Sequence, residues 1–434
     1  MTICWVCKRW RAIALDTPVL WTNIRVNEFV EPTEAYLERS QNTQLFVSGS
    51  LNFHLAGGNN RHTAAPDTWA LVLKHSDRIE AMSVDYKSGL YKDLVPTMNT
   101  EHFKLPQLRR LRLQFVHVSP NDKTRQSVFV PHRFEVDYHA SLLEELEIIQ
   151  LPFTLTSTLL TVGLRKLILC GIEWDRYHRP WDILLGTLKR LPCIEEFRLL
   201  EDLPELPMGN FSLAGQDEKL EEQLSQLLLA APVDLPKLRL LEVASSSCED
   251  AGQVGLLMSN LTLPARAAIS ITLCGTCGFT YQEVFLIGSI LATTFSVPAA
   301  GATPRLPLRT LCLQRAESEL AYGGAPRITG WSEPLSPEKL PPGTLTSSPS
   351  PTLSLGVADQ GRSVDILDTL KLLPLGSLEY LAVHQFLPFF VDYLLAFAHA
   401  RNLRVLSASG RACHWLIFSL TPPGTSGALS LDFR

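Results

Sequence analysis

Leu108-Arg-Arg-Leu-Arg-Leu113, Leu143-Glu-Glu-Leu-Glu-Ile148 and Leu164-Arg-Lys-Leu-Ile-Leu169 are three copies of one short unit. Each consists of an apolar residue, two spacers, a second apolar residue, one spacer and a third. The last two apolar positions alternate with mostly polar ones, which is the period of a half-buried strand. The first is the residue that turns the chain inward. The same spacing recurs at Ile79/Met82/Val84, Ile194/Phe197/Leu199, Leu238/Leu241/Val243, Ala268/Ile271/Leu273, Leu308/Leu311/Leu313, Leu378/Leu381/Val383 and Leu403/Leu406/Ala408. With 46% apolar residues, chance alone matches roughly one position in ten, so context decides. Leu-Pro introduces several copies (Leu105-Pro106, Leu191-Pro192, Leu235-Pro236, Leu306-Pro307), and charged residues fill the spacers.

Apolar segments able to form helices, such as Trp181 to Leu191 and Leu220 to Ala230, lie between copies. Strand then helix at each step is the leucine-rich-repeat plan, in which neighbours stack to bury a continuous core. The period is irregular, with steps from 21 residues (Leu143 to Leu164) to 70 (Leu308 to Leu378). The expected fold class is therefore α/β: an irregular leucine-rich-repeat-like solenoid over 27–434, preceded by a short helical segment at 1–26. The longest step holds Gly330-Trp-Ser-Glu-Pro-Leu-Ser-Pro-Glu-Lys-Leu-Pro-Pro-Gly343, followed by more Ser, Thr and Pro. Residues 330–362 are expected to be a disordered surface insertion, with Ser-Pro pairs at Ser336, Ser348 and Ser350. Shorter breaks are expected at 57–66, 117–133, 203–216 and 297–305.

At the amino terminus, Ile3, Val6, Trp10 and Ile13/Ala14 share one face at helical spacing, while Lys8, Arg9 and Arg11 lie opposite. Asp16-Thr17-Pro18 stops that helix and starts another turn, because Pro suits a first helical position and Asp or Thr can cap it. Val6-Cys7-Lys8-Arg9-Trp10-Arg11 and Thr17-Pro18-Val19-Leu20-Trp21 resemble the second half of the F-box of fungal F-box proteins. The irregular repeats resemble the domain that follows the F-box in many members of that family. The resemblance implies a substrate-recognition subunit of a cullin–RING ubiquitin ligase, docked on a Skp-family adaptor and holding an unidentified protein target on its repeats. It implies F-box core or adaptor-binding roles for Val6, Cys7, Trp10, Leu15, Pro18, Leu20 and Trp21. The family's motif opens upstream with a Leu-Pro-x-Glu segment, so the F-box is expected to be amino-terminally truncated, in a shortened gene model or a fragment. The alternative is a repeat-based protein-interaction module without ligase activity, for want of the adaptor-binding half.

The chain of 434 residues carries a net charge of −5, which gives no electrostatic reason to expect nucleic acid. Nine scattered cysteines read as reduced thiols, and Lys8, Arg9 and two tryptophans within the first ten residues do not read as a secretory leader. An intracellular protein, cytoplasmic or nuclear, is expected. Val284 to Pro304 is uncharged, but its Gly, Ser, Thr and Pro content favours a buried helix and loop over a membrane span. Cys274-Gly-Thr-Cys277 lacks a second close ligand pair for zinc, and Cys4/Cys7 fit a metal site still less. No hydrolase elbow, metalloprotease helix, phosphate loop or dinucleotide fingerprint is present. His54, His62 and His75 are near one another in sequence, but at loops and helix ends. Glu144-Glu145 and Glu195-Glu196 occupy spacers, where they should face solvent. Arg109, Arg110, Arg112, Lys104 and Arg165-Lys166 form either a stripe for acidic groups or partners for the glutamates between them. No enzyme, cofactor or metal is expected.

Overall fold

The structure, a computed structural model, describes residues 7–26, 29–52, 66–87, 104–116, 140–151, 153, 155, 157–172, 174, 180–204, 232–245, 250–275, 291, 295, 307–315, 326–335, 351–359, 370, 372–384 and 400–409. Every copy of the repeat spacing falls on a strand. Two compact bodies divide the chain, Met1–Leu200 and Glu201–Arg434.

The first body runs α1 (Lys8–Leu15), a 3-10 turn (Pro18–Trp21), β1 (Asn23–Val26), α2 (Val30–Arg39), β2 (Leu45–Asn52), α3 (Pro66–Leu73) and a second 3-10 turn (Ser76–Arg78). Then follow β3 (Ile79–Lys87), β4 (Arg110–Val116), β5 (Glu145–Ile149), β6 (Lys166–Cys170), α4 (Pro180–Lys189) and β7 (Glu196–Glu201). Strands β1 to β7 pair in chain order, all parallel. Parallel neighbours need a crossover between them, which the intervening segments provide.

The second body holds β8 (Val233–Asp234), β9 (Leu240–Ser245), α5 (Ala251–Ser259), β10 (Leu261–Thr262), β11 (Ala268–Gly275), β12 (Thr310–Arg315), β13 (Pro326–Trp331), β14 (Leu353–Asp359), β15 (Tyr380–His384) and β16 (Val405–Ser409). Its sheet order is β9-β11-β14-β13-β12-β15-β16, with β8 and β10 forming a separate pair. Only β13 runs antiparallel to its neighbours among these described strands. The chain is thus mixed α/β, with large, mostly parallel sheet and few helices among the described residues.

The repeat spacing has a physical reason. The first apolar residue donates its N–H to the carbonyl three residues earlier, as Leu108 does to Leu105 (3.1 Å), Ile194 to Leu191 (3.2 Å) and Leu238 to Leu235 (3.1 Å). That closes a turn with Pro106, Pro192 or Pro236 at its second position, where the fixed φ of proline is favourable. Leu105, Leu108, Leu191, Ile194, Leu235 and Leu238 are all buried at these turns. The next two apolar residues point to the same core, so Leu111/Leu113, Leu146/Ile148, Leu167/Leu169 and Phe197/Leu199 stack across β4–β7. Just past β5 and β6, Gln150 and Gly171 adopt positive φ (53° and 58°), as does Glu201 at the end of β7 (73°). The bend costs glycine nothing and strains the other two. Close packing also fixes Gly49 on β2, where a Cβ would lie 2.8 Å from both Cβ and carbonyl oxygen of Val26.

Four expectations need correction. Residues 1–26 are not set apart from the sheet: Ile24 and Val26 are core residues of β1, which pairs with β2. The segment 330–362 is not wholly an insertion without structure, because Trp331 closes β13 and residues 353–359 form β14 between β11 and β13. Burial explains it: Ile328, Trp331, Leu353 and Leu355 all enter the core. Residues 336–350 lie outside the described set. The repeat read as Ala268/Ile271/Leu273 is shifted: Ile269 pairs with Leu241 and Ile271 with Val243, while Ala267 makes the turn to Pro264 (3.0 Å). That copy is one residue shorter between turn and strand, and a two-residue shift keeps side chains on the same face. Thr17, finally, does not cap the following turn; its hydroxyl donates back to the carbonyl of Ile13 (2.6 Å). The helix expected over 181–191 is α4, whereas those expected over 220–230 and within 284–304, and the breaks at 117–133 and 297–305, fall on residues that are outside the described set or nearly so.

Candidate interaction surface

Helix α1 is short and is capped at its start by Cys7, whose sulfur accepts the Trp10 N–H (3.5 Å). Pro18 sits at the first position of the 3-10 turn, as its fixed φ favours. The turn packs against α1. Trp21 ends it and is 2% exposed. Its indole Nε1–H donates to the Ala14 carbonyl (2.6 Å), its ring meets Tyr36 edge-on (centroids 5.2 Å apart), and the Arg39 guanidinium lies 4.5 Å from its centroid. One side chain therefore ties the 3-10 turn to α1 and α2.

The neighbouring apolar residues do the opposite. Trp10, Ile13, Val19 and Leu20 are 49%, 47%, 65% and 42% exposed. Leu15 and Pro18 are half-buried, Cys7 is exposed, and Val6 lies outside the described residues. The residues singled out in the sequence thus divide: Trp21 is a structural anchor, and Trp10 and Leu20 are presented on successive elements. Tyr36 and Arg39 were not foreseen. The signal for their helix was Glu31 in its first turn and Arg39 in its last, which suit the helix dipole. Trp21/Ile24/Val26 also carries the repeat spacing itself, masked by its overlap with the helical motif.

A second surface lies on the open face of β3–β7. Charge alternates strand by strand: Glu80, then Arg109/Arg110/Arg112, then Glu144/Glu145/Glu147, then Arg165/Lys166, then Glu195/Glu196. Arg110 reaches Glu80 (3.6 Å), Arg112 reaches Glu147 (3.7 Å), Lys166 reaches Glu147 (3.1 Å) and Arg165 reaches Glu195 (2.5 Å). Arg109 is paired with Glu144. Arg109, Arg110, Arg112, Arg165 and Lys166 of the basic stripe are therefore paired within the sheet, and Glu144, Glu145, Glu195 and Glu196 all take part in ion pairs. Arg110 also lies 5.3 Å from the centroid of the Phe46 ring.

No group of three or more His, Cys, Asp or Glu that could hold a metal occurs among the described residues. Cys274 is at the end of β11, with Cys277 outside the described set, as are Cys4, His54 and His62. Cys312 is buried, and burial pushes its thiol up to about 12. No described helix is long and apolar enough to cross a membrane; most of 284–304 lies outside the described residues. No protein-family model matches the chain, and no curated protein matches it.

Proposed function

We propose that this chain is a substrate-recognition (F-box) subunit of an intracellular cullin–RING ubiquitin ligase. In this reading the strands are steps of an irregular leucine-rich-repeat solenoid that holds a protein target. The α1–turn segment docks a Skp-family adaptor. Transfer of ubiquitin belongs to other subunits, and this chain works by position, raising the effective concentration of target lysines near the ligase.

The observation that carries the proposal is the exposure of Trp10, Ile13, Val19 and Leu20 on the segment whose motif resembles the F-box. Clustered exposed apolar side chains mark an interaction site more often than a free surface. Trp21, by contrast, is turned inward, against Ala14 of α1 and Tyr36 and Arg39 of α2. The test is co-purification with a Skp-family adaptor, using the chain from Met1 and a form in which a Leu-Pro-x-Glu F-box segment is fused ahead of it. Binding by either form, abolished by Leu20→Asp or Trp10→Asp, supports the reading. Failure of both forms overturns it and leaves a repeat-based interaction module without ligase activity.

A further inference from the structure

We draw no further inference here: the strongest candidate, the exposed apolar surface patch of Leu142 and Val162 on the adjoining turns that lead into β5 and β6, carries nothing because nothing in the structure shows what covers it.

Discussion

Trp21 and Trp10 sit eleven positions apart and have opposite environments, so substitution separates their roles. Trp21→Ala removes a buried ring together with its bond to the Ala14 carbonyl and its edge contact with Tyr36. Large aromatic truncations in a core cost about 3–5 kcal/mol. Trp10→Ala and Leu20→Ala act at half-exposed positions and should change stability by less than about 0.5 kcal/mol. Amide exchange in β1–β3 reads both effects. If Trp10→Ala loosens those strands as much as Trp21→Ala does, the division into anchor and presented surface is wrong. The sequence marked both tryptophans but could not sort them, because helical spacing gives a common face without saying which part is covered. Tyr36 and Arg39, the groups that cover Trp21, come from a helix outside the motif.

At the level of strands, the alternating charges act on pairing as well as solubility. At the two spacers that follow each turn, β4, β5, β6 and β7 alternate in sign, so a strand displaced by one place in the order would set like charges together there. Glu147 is the most instructive member, between Arg112 (3.7 Å) and Lys166 (3.1 Å). Glu147→Lys leaves three cations together and should cost about 1 kcal/mol. Most of that loss should disappear between about 0.05 M and 1 M salt, where screening shortens from beyond strand spacing to within it. Denaturant titrations of both chains at the two salt levels measure it, and a penalty that ignores salt would assign the loss to packing instead. These strands were legible because buried Leu, Ile and Phe at fixed offsets are themselves the signal. β13 and β14 were not, since Pro326, Gly330 and a Ser/Thr/Pro-rich flank oppose strand propensity and only tertiary burial of Ile328 and Leu353 decides. The shifted repeat at Ala267 was hidden for a related reason: Ala267, Ala268 and Ile269 all suit an apolar position, and hydrogen bonding alone selects the register.

Over the whole molecule, the repeat spacing runs on through residue 200, so nothing in the pattern announced two bodies there. Their stabilities should also respond differently to acid. In the first body, His75 joins α3 to the turn before β3, and its pKa is lowered, first by burial and then by the Arg78 guanidinium beside it. Arg78 cannot move away easily, because it donates to the Thr43 carbonyl (3.0 Å) and to Ser40 Oγ (2.6 Å). The fold therefore prefers neutral His75. The stability this contributes is present above the ordinary value of 6.5 and is lost as pH falls through the lower folded value. In the second body, Asp202 has its pKa raised by burial and by Glu201. Its contribution has the opposite sign, present below 3.8 and lost as pH rises through the raised folded value. Acidification from about pH 7.5 to 5 should thus loosen α3 and β3. His75→Gln, which cannot gain a proton there, should remove that part of the loss while leaving the Asp202 response unchanged. Amide exchange of Ile79–Lys87 across this range measures it, and an identical acid response in the variant would place the origin of the effect elsewhere.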